Sequence, residues 1–145
     1  MHIKKILLVL IIVSSCTSNS NQIKFHKSHE VSRIDKPFSD VVETENLLFL
    51  TGQIGKNHKT GQLVDGGIKA ETQQTIENIK SVLEHHNSSL DRVVKCTVIL
   101  KHIEDFKAFN EIYVSYFKNK PARTTFAASN LAANALIEID VIASK

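Results

Sequence analysis

Two stretches near the end of the chain carry residue types suited to chemistry on a small anion: Pro121-Ala122-Arg123-Thr124-Thr125-Phe126 and Ile137-Glu138-Ile139-Asp140-Val141. A fixed cation together with a carboxylate could hold a small ligand. Both stretches read as strands. Because side chains alternate along a strand, Arg123, Thr125 and Ala127 share one face, while Thr124, Phe126 and Ala128 share the other. In the second strand Ile137, Ile139, Val141 and Ala143 make an unbroken apolar face, with Glu138 and Asp140 opposite them beside Leu136 and Ile142. This pattern leaves two readings open: the solvent side of a sheet, or a ligand site built on a fixed cation and a carboxylate.

The elements that must position these residues follow from the rest of the chain. Val41-Val42-Glu43 and Leu47 to Thr51 read as strands joined through a turn at Glu45-Asn46, and Gly52-Gln53 ends the second where a close backbone approach is expected. A helix is predicted from about Ile68 to His86, with Ile76, Ile79, Val82 and Leu83 on one stripe, closed by Asn87-Ser88-Ser89. Val93 to Lys101 reads as a strand with Val94, Cys96, Val98 and Leu100 on one side. A second helix is predicted from about Glu104 to Lys118, with Phe106, Phe109, Ile112, Tyr113 and Phe117 toward a core, and with Glu104 and Asp105 at its positive end. Two amphipathic helices on one face of a mixed sheet make an α+β layer. The other face, expected to carry Arg123 and Glu138, is left without cover from its own chain, and a second copy is the simplest source of it.

At 145 residues, with 42% hydrophobic and 23% charged residues, the chain has the composition of one globular domain. Its start differs. Lys4-Lys5, the apolar run Ile6 to Val13, and Ser14-Ser15-Cys16 fit a secretory signal peptide, and the run is too short to span a bilayer as a helix. Val13-Ser14-Ser15-Cys16 resembles a bacterial lipobox, which implies cleavage before Cys16 and lipid attachment to its thiol. The expected organisation is a signal over residues 1–15, a flexible tether over 16–36 with Ile23-Lys24-Phe25 as a stray strand, and a folded domain over 37–145. The protein is then exported and lipid-anchored to a bacterial membrane, at the periplasm or cell surface. Removing the signal takes Lys4 and Lys5 from eighteen bases, leaving sixteen against fifteen acids and a net charge of +1. That is no basic footprint, so no nucleic-acid partner is expected.

The only other cysteine, Cys96, has no histidine or carboxylate beside it in sequence and reads as a small core residue. The seven histidines form neither an i, i+4 pair nor a cysteine–histidine zinc spacing, so no metal site is expected. Glycine-rich nucleotide loops and the G-x-S-x-G elbow are absent from the sequence, and no cofactor is expected.

The residues from about Pro37 to Ser144 resemble the reactive-intermediate deaminase family, Rid or YjgF. The resemblance is carried by Pro37-Phe38-Ser39, Thr51-Gly52-Gln53-Ile54-Gly55, Lys59-Thr60-Gly61, Gly67-Ile68 through Glu77-Asn78-Ile79, Phe106 through Asn110, Tyr113, Pro121-Ala122-Arg123 and Ile137-Glu138-Ile139. Each is short; their order and spacing together are specific. The resemblance implies a chorismate-mutase-like fold in a trimeric barrel with clefts between subunits. It implies hydrolysis of 2-imino acids, or their 2-aminoacrylate tautomers, to 2-keto acids and ammonium, without cofactor or metal. Carried over by motif, Arg123 clamps the substrate carboxylate and Glu138 positions or deprotonates water. Phe38, Gly52, Asn110 and Thr125 line the same pocket, while Asp140 is a supporting charge. The chain departs from the family pattern at Phe38, where many members have tyrosine, at Thr125, where several deaminases have cysteine, and at Asn130-Leu131-Ala132, which lacks a common proline. Two alternatives remain beside the deaminase: a non-catalytic binder of small 2-keto acids or holdase-like protein of the same fold, and, more distantly, a ribonuclease.

Overall fold

A computed structural model of the protein describes residues 22–145; the signal and Cys16 lie outside the described residues. Strands β1 (Lys24–His26), β2 (Val41–Glu43), β3 (Leu47–Leu50) and β4 (Gln53–Ile54) precede helix α1 (Gly67–His85). Strand β5 (Val93–Leu100), helix α2 (Phe106–Tyr116), β6 (Ala122–Ala127) and β7 (Ile137–Ser144) follow. All seven strands form one sheet in the order β1-β2-β3-β7-β5-β6, with β4 pairing β7. Only β5 and β6 run parallel, with α2 in the connection between them, as a parallel crossover requires.

The core lies between the sheet and the two helices. Ile137, Ile139, Val141 and Ala143 of β7 are buried in alternation with half-exposed neighbours, and the α1 stripe Ile76, Ile79, Val82 and Leu83 is buried with them. Phe109, Tyr113 and Phe117 bring α2 to the same cluster. The opposite face of the sheet is only partly shielded, leaving Phe25, Phe49 and Phe126 exposed. No described helix is long and apolar enough to cross a membrane.

Three expectations change. Val94 is exposed and Val93 buried, because a bulge between Val93 and Lys95 shifts the alternation by one residue before Cys96 restores it. Helix α2 begins at Phe106, since Ile103–Asp105 form a separate 3-10 turn. The second half of the expected tether is fastened to the domain: β1 pairs with β2, and buried Asp40 accepts from Ser28 Oγ at 2.9 Å and from Arg33 Nη2 at 2.8 Å.

Candidate functional site

Arg123 lies in β6 opposite Cys96 of β5, so the two share a face, and Cys96 is fully buried under the helices. Arg123 therefore projects toward α2. Its Nη1 donates to Asn110 Oδ1 at 2.7 Å, and its guanidinium carbon lies 4.6 Å from the Tyr113 ring centre and 5.1 Å from that of Phe109. Stacking on aromatic faces fixes the plane of the guanidinium while leaving its edge donors available. No carboxylate of the described residues forms an ion pair with it. The group borders a hollow of about 630 Å³ lined also by Asn110, Val114, Lys118 and Pro121. Thr125, two residues along the same face, has a buried Oγ1 with no hydrogen-bond partner among the described residues.

Glu138 pairs with Ile99 of β5 and Ile54 of β4 and leaves the sheet on the opposite side from the buried Ile137 and Ile139. Burial and the neighbouring charge of Asp140 raise its pKa above the ordinary carboxylate value, against a weaker opposing effect of Arg33. A Cβ on Gly52 would stand 2.0 Å from Glu138 Oε1, so only glycine leaves the carboxylate its place. The backbone that brings Gly52 there is tied to α1: Asn78 Nδ2 donates to Ile54 O at 3.0 Å and to Lys56 O at 2.9 Å. Phe38 is half exposed, and the Arg33 guanidinium lies 5.7 Å from its ring centre.

The site residues thus fall into two groups. Arg123, Asn110 and Thr125 form one on the helix side of the sheet. Gly52 and Glu138 form the other on the open side, with Phe38 near Arg33, whose charge reaches Glu138. The expectation that Arg123 and Glu138 share the uncovered face is corrected by the parallel β5–β6 register, which aligns Arg123 with Cys96. Sequence reasoning missed the aromatic cradle of Arg123, because Phe109 and Tyr113 at helical spacing look like core and are core; their second role needs the register of β6. It also missed Arg33, which lay in the expected tether.

Cys96 behaves as expected of a core residue. Burial pushes its thiol up to about 11, and it accepts the Tyr113 hydroxyl at 3.3 Å.

The family described as "Endoribonuclease L-PSP" matches residues 30–145. A RutC family protein of Pyrococcus horikoshii is 46% identical over 110 residues, covering 75% of this chain and 87% of the relative. The human protein named 2-iminobutanoate/2-iminopropanoate deaminase is 39% identical over 108 residues, covering 74% of this chain and 79% of its own. Among solved structures, a Rid-family protein of Yersinia pestis superposes with a TM-score of 0.80 at 33% identity, covering 86% of this chain and 100% of the other. With the α+β fold, the match across almost the whole described domain and the order of its motifs in agreement, the chain belongs to the Rid/YjgF family.

Proposed function

We propose that the protein hydrolyses 2-imino acids of the 2-iminopropanoate and 2-iminobutanoate type to 2-keto acids and ammonium. The observation that carries this reading is the Arg123 guanidinium, cradled by Tyr113 and Phe109, held by Asn110, without a carboxylate partner, and facing a hollow large enough for a small acid. Such a group is built to receive a substrate carboxylate, and a charged hydrogen bond of this kind contributes about 1.5–3 kcal/mol. The human relative's name supports the same reaction class.

The chemistry asks little more of the protein. The imine carbon is electrophilic once its nitrogen is protonated. Water oxygen bonds to that carbon as Glu138 takes a proton from the water, giving a tetrahedral carbinolamine. Glu138 then passes that proton to the amine nitrogen; as the C–N bond breaks and the C=O forms, Glu138 takes the hydroxyl proton and hands it to the departing ammonia, which leaves as ammonium. A carboxylate with a raised pKa is a better base for this than an ordinary one, and a positioned base contributes roughly a hundred- to ten-thousandfold. Because Arg123 and Glu138 leave the sheet on opposite faces, the proposed reaction site takes Arg123, Asn110 and Thr125 from one copy and Glu138, Gly52 and Phe38 from another. A closed homotrimer satisfies that requirement.

Keto-acid release from freshly generated 2-iminopropanoate tests the proposal. Purified protein speeds it, Arg123→Ala removes the acceleration, and equal rates with and without protein would overturn the reading. A keto-acid binder that lacks turnover would keep Arg123-dependent affinity in calorimetry with no rate enhancement. A ribonuclease, the activity named in the family's description, would instead show salt-sensitive RNA binding, which the net charge of +1 after signal removal argues against. Export and anchoring belong to the same proposal: the wild-type chain sediments with membranes, and Cys16→Ser releases it.

A further inference from the structure

Four of the seven histidines in the sequence gather at the far edge of the sheet, away from Arg123. His29 stacks on His85 at 4.4 Å between ring centres, His85 meets His86 edge-on at 5.3 Å, and His86 meets His26 at 4.7 Å. Two of these rings converge on a carboxylate: one ligand atom each of His26, Glu43 and His86 lie within 4.8 Å of one another.

We propose that His26, Glu43 and His86 form a binding site for a divalent cation of the zinc or copper type. The three come from three separate elements, each with a fixed backbone. The β1–β2 register sets Lys24 against Glu43 and His26 against Val41, so His26 and Glu43 are diagonal neighbours on one face. His86 caps α1, and its place is set by the helix's terminal motif: Asn87 adopts φ 57°, its N–H bonds to Glu84 O at 3.1 Å, and Ser88 N–H bonds to Leu83 O at 2.9 Å.

The spacing suits a small metal. Zinc–ligand bonds of about 2.0–2.1 Å in a tetrahedron put donor atoms roughly 3.3 Å apart. His26 Nε2 and Glu43 Oε2 stand 2.7 Å apart, and the set spans at most 4.8 Å, so the observed separations bracket that distance. His26 is 31% and Glu43 14% exposed, and the site opens into a hollow of about 430 Å³, which gives an ion a way in and leaves a position for water.

Charge decides which metals fit. The C-terminus of a 19-residue helix favours a cation beside His86. Lys145 Nζ, 2.6 Å from Glu43 Oε1, and Lys24 Nζ, 3.6 Å away, oppose one. Lys145 engages Oε1 and orients the carboxylate, as outer hydrogen bonds to metal ligands do, and leaves Oε2 to His26, whose direct hydrogen bond a bound ion would replace. A hard cation that depends on several oxygens finds one carboxylate and two ammonium groups here, so calcium and magnesium are excluded in favour of ions that bind imidazole strongly. No linear motif shows the site, because its ligands lie in three separate segments of the chain.

The test is a zinc titration of the full chain by calorimetry at pH 7.5 against a competing chelator. One zinc per chain is expected, weakened at least about a hundredfold in both His26→Gln and His86→Gln and unchanged in His102→Gln. Cobalt added to the wild-type protein should give the visible absorption of a nitrogen- and oxygen-ligated ion, a reading that needs no variant to fold. Absence of binding to the wild type, equal affinity in all variants, or a thiolate charge-transfer band in the cobalt spectrum would each overturn the proposal.

Discussion

Arg123 and Glu138 flank the same strand, β5, yet project from opposite faces of the sheet: Arg123 aligns with buried Cys96, Glu138 with Ile99 on the open side. If both serve one reaction, they meet only across two copies. Arg123→Ala and Glu138→Gln chains should each be inactive alone. Co-expressed, they should regain activity, because random assembly gives roughly a quarter of the clefts both intact residues. Imine hydrolysis by mixed assemblies, sorted by two affinity tags, measures it. No recovery on mixing would place the two roles within a single chain.

Gly52→Ala should fold and lose catalysis. The new Cβ falls on the Glu138 carboxylate, the flexible end of a side chain, so the domain yields by moving that carboxylate. Displacing a catalytic group by about 1 Å costs on the order of a hundredfold. The expected result is a lower kcat with little change in KM, and an unaltered urea midpoint.

The pH dependence follows from Glu138. Desolvation and Asp140 raise its folded pKa above 4.5, so between the unfolded and folded values the native state binds more protons. Stability from this group is therefore greatest at low pH and falls as pH rises through that window. Glu138→Gln should be more stable than wild type at pH 7.5, and the difference should vanish at pH 4. The same shift places the acid limb of the wild-type kcat/KM profile above the ordinary carboxylate value. Paired urea melts and a pH–rate profile read both.

Asn78→Ala should destabilise the domain by about 1–3 kcal/mol, because the carbonyls of Ile54 and Lys56 lose the amide that ties them to α1. Those carbonyls belong to the segment that carries Gly52 past Glu138. Activity should fall by more than the loss of folded protein explains, as measured by active-site-normalised rates at a temperature where circular dichroism shows the variant folded.

Much of the fold was legible in the chain itself. The Ile137 to Ala143 alternation and the Ile76 to Leu83 stripe are strong periodic signals, and burial follows both. The site was legible as a list and not as an arrangement. Alternation says that Arg123 and Thr125 share a face, but which face depends on register with β5, a long-range property absent from the local pattern. A bulge at Val94 defeats the same logic over one residue. The strand at Lys24–His26 was legible only as a stray one at Ile23-Lys24-Phe25, because it is three residues long with Phe25 71% exposed, and residues 27–34 escaped because their fastening is a polar network around Asp40 rather than an apolar period. His26 and Glu43 gain meaning only once β1 and β2 are paired.

Cys96, sealed beneath α2 with its thiol pushed up to about 11, stays protonated and out of reach of oxidants at neutral pH. Among the described residues it is the sole sulfhydryl. With Cys16 replaced by serine, the chain therefore offers a silent background for single-site labelling: a cysteine placed at exposed Phe126 would react alone, and its cross-linking to a neighbouring copy would report directly on how chains meet.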